Sequence, residues 1–172
     1  MAVKRIRQLG DPVLWRKSVA VADPAAASVA ALAEDLRDTL MAFRREHGYG
    51  RGIAAPQVGV LERVVLVDAP ASDFSCALVN PEIVRRSDER VLVWDACFSL
   101  PGLMIEVPRS AGVVVEYLDL SGVRQTVDAS GELSELLQHE IDHLEGVLAL
   151  DRAAAPHSVW CTEEWQRQQR GV

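Results

Sequence analysis

The sequence predicts an α+β fold built from mostly antiparallel sheets packed around a central helix, with a further helix near the N-terminus. Two observations support this class: apolar residues recur at helical spacing in two separate stretches, and valine-rich runs with turn residues between them lie in the intervening chain. The chain has 172 residues and neither internal repeats nor a long linker, so residues 1–172 are expected to form a single domain.

The first predicted helix follows Asp23-Pro24, a capping side chain and a proline that are typical of a helix start. The apolar residues behind this pair recur every three or four positions, as they do on one side of a helix: Val29, Leu32, Leu36, Leu40 and Phe43. Gly48 and Gly50 then interrupt the pattern, and glycine commonly follows the last turn of a helix.

Four later runs predict strands because they are rich in valine and are separated by turn residues: RVVLVDA (63–69), VLVWDA (91–96), GVVVEYLD (112–119) and VRQTVDA (123–129). Ser121-Gly122 lies between the last two runs and predicts a hairpin. From Glu132 the period becomes helical again, which predicts a second helix packed on the sheet with an apolar side formed by Leu133, Leu136, Leu137, Ile141 and Leu144.

Composition excludes several functional classes. Residues of hydrophobic type make up 49% of the chain, which excludes a disordered protein, and the formal charge of −7 argues against a nucleic-acid-binding surface. The N-terminal sequence MAVKRIRQLGDPV lacks the apolar core of a secretory signal, and no run approaches the length of a membrane span. The expectation is a cytoplasmic, monomeric enzyme with no nucleic-acid or membrane partner.

Chemistry is indicated by His139 and His143, which are four residues apart on the second predicted helix. At about 100° per residue the two imidazoles project from nearly the same side, close enough to bind one cation. Glu140 completes an HExxH pattern, in which the glutamate can take a proton from water on the metal. Asp142, inside the motif, either orients a neighbouring ligand or is a solvated helix charge.

The third metal ligand remains open from the motif alone. A metzincin requires a histidine six residues beyond His143, and Ala149 stands there. A thermolysin-like protease would use a later glutamate, and Glu163 follows His143 by twenty residues. The other candidates are the three cysteines, since a thiolate binds zinc or ferrous iron strongly. Cys97 follows a strand and precedes a loop, whereas Cys76 and Cys161 are expected to be small buried apolar residues.

Three motifs in this order resemble the peptide deformylases. GRGIAAPQVG (50–59) is similar to the family's GxGLAAPQxG, DACFS (95–99) to its EGCLS, and QHEIDHLEG (138–146) to its QHExDHLxG. QLGDPVL and the VPR of 107–109 fit as well, so the resemblance spans nearly the whole chain. It implies a metal-dependent hydrolase that removes the N-formyl group from formyl-methionyl N-termini of new polypeptides and releases formate.

The resemblance also implies a role for individual residues. Cys97 would join His139 and His143 around one divalent metal on the central helix, with Fe²⁺ as the usual ion and Zn²⁺, Ni²⁺ or Co²⁺ as substitutes. Glu140 would move the proton. The Gln57 side-chain amide and the backbone N–H of Phe98 would donate to the oxyanion. Gly52 would let the substrate backbone approach closely.

Departures from the family pattern cluster around the expected substrate pocket. Asp95-Ala96 replaces the usual Glu-Gly before the cysteine, and Arg51 replaces an apolar residue. Glu132 and Glu135 precede His139 by seven and four residues, so they fall within about 40° of it on the helix. We expect these residues to contact substrate, in a pocket that is poor for formyl-methionine and better for a polar or cationic group.

Other interpretations of these departures also remain open. The three charged side chains would alternatively reach solvent at the rim of the pocket. A hydrolase of a different N-formyl compound, or a catalytically silent protein that binds formylated N-termini, is also compatible with the motifs.

Overall fold

A computed structural model describes residues 2–170 and contains three α-helices and two sheets within that range. The helices are α1 (Ala27–His47), α2 (Gly131–Leu144) and α3 (Thr162–Gln169). The five-stranded sheet has the order β1 (Gly52–Ala54), β2 (Val64–Ala69), β3 (Phe74–Arg86), β6 (Gly112–Leu118) and β7 (Arg124–Ser130). The three-stranded sheet has the order β4 (Arg90–Asp95), β5 (Leu103–Ser110) and β8 (Val159–Cys161).

The five-stranded sheet separates α1 from α2, which explains the nearly continuous apolar run of β2. Val64 and Leu66 pack in one core with α1, and Val65 and Val67 pack in another with α2. Successive side chains of a strand point to opposite faces, so a strand covered on both faces needs apolar residues at nearly every position. This arrangement puts α2 in the interior of the molecule, as the sequence predicts.

The α+β class is confirmed, and every strand pair in the two sheets is antiparallel among the described residues. The predicted hairpin is also confirmed, because β6 and β7 pair throughout on either side of Ser121-Gly122. The Asp119 carboxylate accepts the Ser121 and Val123 backbone N–H groups in that turn at 2.9 and 3.0 Å. No helix in residues 2–170 combines the length and the hydropathy needed to cross a membrane.

The start of α1 differs from the prediction. Asp23 accepts the Ala25 N–H at 3.1 Å and closes a turn, but the helix itself begins at Ala27. Its C-terminal end matches the sequence, because Gly48 has φ 79° and donates its N–H to the Arg44 carbonyl.

A third apolar core lies beneath the three-stranded sheet and supports the chain after β4. It includes Leu14, Leu100, Ile105 and Leu148, all at most 1% exposed, and Cys97 is part of it. The prediction that the other cysteines are buried is wrong for Cys161, which is exposed at the end of the short strand β8 just before α3. Cys76 is half-buried.

Gly146 provides a test of how the end of α2 is fixed. Its φ is 71°, and a Cβ there would lie 2.7 Å from the backbone of Trp15. Gly122 has a similar φ of 80° but nothing within 4 Å of a Cβ. Gly122→Ala is therefore expected to lose about 1–2 kcal/mol of unfolding free energy. Gly146→Ala should lose about 1–3 kcal/mol more, because the backbone must shift.

Denaturant unfolding of both variants measures this difference. Equal losses of unfolding free energy in Gly146→Ala and Gly122→Ala would show that the close approach of Gly146 to the Trp15 backbone does not constrain the end of α2.

Candidate metal centre

Cys97, His139 and His143 converge where the chain leaves β4 and passes beside α2. One potential ligand atom from each residue lies within 4.8 Å of the others, and the Cys97 Sγ is 3.2 Å from the His143 Nε2. The three residues are buried, with exposures of 4, 7 and 1%. A thiolate and two imidazoles are a donor set that zinc and ferrous iron favour, so these residues fit a divalent transition metal.

His139 is held in orientation by Asp95. The His139 Nδ1 lies 2.9 and 3.0 Å from the two Asp95 oxygens, which leaves its Nε2 for the centre. Although burial acts to raise it, the charges of His139 and Arg109 hold the pKa of Asp95 well below its usual range. A carboxylate that fixes the far nitrogen of a metal-binding histidine is a common means of setting its tautomer.

Arg109 lies behind Asp95 and links it to α2. Its guanidinium donates to Asp95 at 2.7 Å and to Asp142 at 2.5 Å, and Asp142 also accepts from Arg152. Arg109 is 2% exposed and Asp142 is 5% exposed. The sequence allowed two roles for Asp142, and the interpretation as a solvated charge on the helix is therefore wrong. Sequence reasoning missed the role of Arg109, although the arginine of the VPR motif was visible.

Glu140 is buried beside the two histidines. Its exposure is 3%, and its Oε2 has no hydrogen-bond partner among residues 2–170. Burial raises the pKa of Glu140 to about 7. A Cβ at Gly52 would lie 2.6 Å from the Glu140 Oε1, so the missing side chain at Gly52 makes room for this carboxylate. That is a different reason for the glycine from the predicted close approach of substrate.

Gln57 directs its amide toward the cysteine. Its Oε1 accepts the Ala54 N–H at 2.8 Å, which fixes the side chain, and its Nε2 is 3.6 Å from the Cys97 Sγ and 3.3 Å from the Ser99 Oγ. Gln57 is 2% exposed. A buried donor in this position can reach an oxygen that lies next to the sulfur.

An open cleft of about 520 Å³ leads to these residues. His143 is 1% exposed and does not line this cleft, whereas the other site residues assigned from the sequence do: Arg51, Gly52, Gln57, Asp95, Ala96, Cys97, Phe98, Glu132, Glu135, His139 and Glu140. Ala96 is exposed, whereas Asp95 has its carboxylate engaged by His139 and Arg109. The Phe98 ring packs against Phe43, with ring centroids 3.9 Å apart.

Glu163 is not part of this arrangement. It is exposed on α3 and borders a separate surface depression with Gln166, Arg167 and Arg170. The third residue of the buried cluster is Cys97. The thermolysin-like alternative is therefore wrong, because its proposed ligand lies on another part of the surface.

Comparisons with known proteins agree with this geometry. The polypeptide deformylase family model matches residues 3–158. The chain belongs to the polypeptide deformylase family. A peptide deformylase of Thermomicrobium roseum is 45% identical over 88% of this chain and 86% of its own.

Solved structures support the same assignment. The actinonin complex of the Ehrlichia chaffeensis peptide deformylase has a TM-score of 0.83 at 30% identity and covers 99% of both chains. The Acinetobacter baumannii enzyme with Met-Ala-Ser bound has a TM-score of 0.78 at 30% identity and covers 88% of this chain and 98% of that one. The resemblance seen in the motifs is confirmed, and the function is that of a peptide deformylase, a hydrolase of N-formyl groups.

Asp95→Asn tests whether the carboxylate fixes His139 for metal binding. An asparagine has a similar shape but loses the charge and one acceptor, so the affinity for zinc is expected to fall about 10-fold to 100-fold. Competition with a chelator measures it. Asp142→Asn is the matched control, because Asp142 pairs with the same Arg109 but does not touch His139. Equal losses of zinc affinity in the two variants would show that Asp95 has no specific effect on the histidine.

Proposed function

We propose that Cys97, His139 and His143 hold one divalent metal ion and that Glu140 moves the proton during hydrolysis of an N-formyl amide. The observation that carries this proposal is the convergence of one sulfur and two imidazoles at the end of a cleft, beside a buried carboxylate with an unpartnered oxygen. By resemblance to the family, Fe²⁺ is proposed as the native ion; the soft thiolate and the imidazoles also suit Zn²⁺, Ni²⁺ or Co²⁺ as substitutes.

The metal, when bound, supplies Lewis acidity toward water and the formyl carbonyl. The Glu140 carboxylate accepts a proton as water attacks the formyl carbon, and it returns that proton to the amine that leaves. Burial favours this exchange, because a carboxyl group with a pKa near neutrality both takes up and releases a proton readily. Formate and a free amino terminus are the products.

Gln57 and Phe98 are proposed to stabilise the oxyanion that forms on the formyl oxygen. The Gln57 amide is already fixed by the Ala54 N–H and faces the Cys97 sulfur, so it requires little rearrangement to donate. The backbone N–H of Phe98 follows the cysteine directly in the chain. Gly52 and Ala96, which line the same cleft, are proposed to lie against the substrate backbone.

The proposed substrate is the formyl-methionyl N-terminus of a nascent chain. The Acinetobacter baumannii relative binds Met-Ala-Ser, a peptide that begins with methionine. An open cleft that ends at the metal centre suits the end of a polypeptide, because only the first residues must enter it. We further propose that the enzyme is monomeric and cytoplasmic and has no nucleic-acid partner.

The metal ligands are tested by elemental analysis of Cys97→Ala. Removal of the thiolate leaves two imidazoles, so the variant is expected to retain less than about a tenth of the bound metal after dialysis. Glu163→Gln is the matched control and should retain full occupancy, because Glu163 is exposed on α3. Full occupancy of Cys97→Ala together with loss in Glu163→Gln would overturn the assignment.

The role of Glu140 is tested by Glu140→Gln. The amide keeps the size of the side chain but cannot take up a proton, so kcat for formyl-Met-Ala-Ser should fall about 10²-fold to 10⁴-fold. The metal content should equal that of the unmodified protein, which separates a catalytic defect from a lost site. Turnover within threefold of the Glu163→Gln control would rule out Glu140 as the proton carrier.

A further inference from the structure

Three charged side chains form one wall of the cleft next to the catalytic residues. Arg51 extends from the segment before β1 to the first turns of α2, where its Nη1 lies 3.1 Å from a Glu132 oxygen and its Nη2 lies 3.4 Å from a Glu135 oxygen. All three residues line the cleft that contains Cys97, His139 and Glu140. Two carboxylates facing one guanidinium leave this wall with a formal charge of −1.

The two ion pairs differ in their surroundings. The Glu132 side chain is 75% exposed, so its pair with Arg51 contributes little and breaks easily. The Glu135 side chain is only 17% exposed, yet its contact with Arg51 is at the long end of the hydrogen-bond range. Burial raises the pKa of Glu135 above its usual value even though Arg51 acts in the opposite direction. Among residues 2–170, Glu135 is therefore a mostly buried carboxylate with one weak donor.

The position of Glu135 places it beside the first side chain of a substrate. Glu135 precedes His139 by four residues on α2, which corresponds to about 6 Å along the helix axis. In a formylated peptide the first Cα lies about 2.4 Å from the formyl carbon. When the formyl carbon is at the metal centre, the first side chain starts close to His139 and reaches Glu135 if it is long and unbranched.

On the basis of the proposed function, we propose that Glu135 is a specificity-determining residue that accepts a hydrogen bond from a cationic first side chain. A lysine ammonium would then replace Arg51 as the partner of Glu135, while Arg51 keeps its contact with the exposed Glu132. The chemical class of substrate is thus extended to formyl peptides that begin with a long cationic residue, in addition to formyl-methionyl peptides. A carboxylate that is already mostly buried favours a donor of this kind, because its own desolvation has occurred on folding and a charge-assisted hydrogen bond is roughly twice as strong as a neutral one.

Formate release from three peptides tests the proposal: formyl-Lys-Ala-Ser, formyl-norleucine-Ala-Ser and formyl-Met-Ala-Ser. Norleucine has an unbranched apolar chain and lacks the ammonium, so the ratio of kcat/KM for the lysine peptide to kcat/KM for the norleucine peptide isolates the charge. In Glu135→Leu this ratio is expected to fall at least tenfold from its value in the metal-loaded, unmodified protein. Glu135→Gln, which keeps the shape of the side chain, should show a fall in the same direction and covers the case in which the leucine variant does not fold.

Glu163→Leu is the control, because it removes an exposed carboxylate on α3 that lies outside the cleft. Its ratio should stay within threefold of the unmodified value. A fall of less than tenfold in Glu135→Leu, or an unmodified protein that hydrolyses the norleucine peptide but not the lysine peptide, would overturn the role of Glu135. An absence of formate from all three peptides would instead contradict the proposed function itself.

Discussion

The arrangement of the site depends on Asp95, which accepts hydrogen bonds from both His139 and Arg109. This carboxylate ends β4, Arg109 belongs to β5, and His139 lies on α2, so one residue joins three elements. Cys97 follows Asp95 by two residues and is thereby brought against His143. A buried ion pair of this kind adds little net stability, because desolvation offsets much of the attraction. Its effect is to fix positions.

Polar groups on α2 divide into those that the fold satisfies and those that it leaves free. Gln138 bonds to the backbone of Ser110, and Asp142 bonds to Arg109. Within residues 2–170, in contrast, the Glu140 Oε2 and the His143 Nδ1 are buried without a partner. Buried polar atoms are nearly always paired in proteins, so an unpaired carboxylate oxygen at the cleft fits a group that reacts with a bound molecule. Both unpaired atoms on α2 belong to the HExxH motif.

Much of the fold was predictable from periodicity, and the rest was not for identifiable reasons. Four strands were missed: β3 and β5, because Asn80-Pro81 and Pro108 interrupt their apolar patterns, and β1 and β8, because each is only three residues long. The candidate metal ligands were predictable because HExxH and the order of three motifs are specific signals. The contacts of Arg51 with Glu132 and Glu135 were not, because they join residues 81 and 84 positions apart. The helical period predicted that the two glutamates share a face with His139, but only the tertiary structure shows that Arg51 contacts both of them.

The central claim is that the end of β4 and helix α2 together provide one sulfur and two imidazole nitrogens to a single ion. X-ray absorption spectroscopy of the zinc-loaded protein tests this most directly. The expected spectrum contains one sulfur at about 2.3 Å and two imidazole nitrogens at about 2.0–2.1 Å. A first shell made only of nitrogen and oxygen would contradict the claim, because it would show that Cys97 is not a ligand.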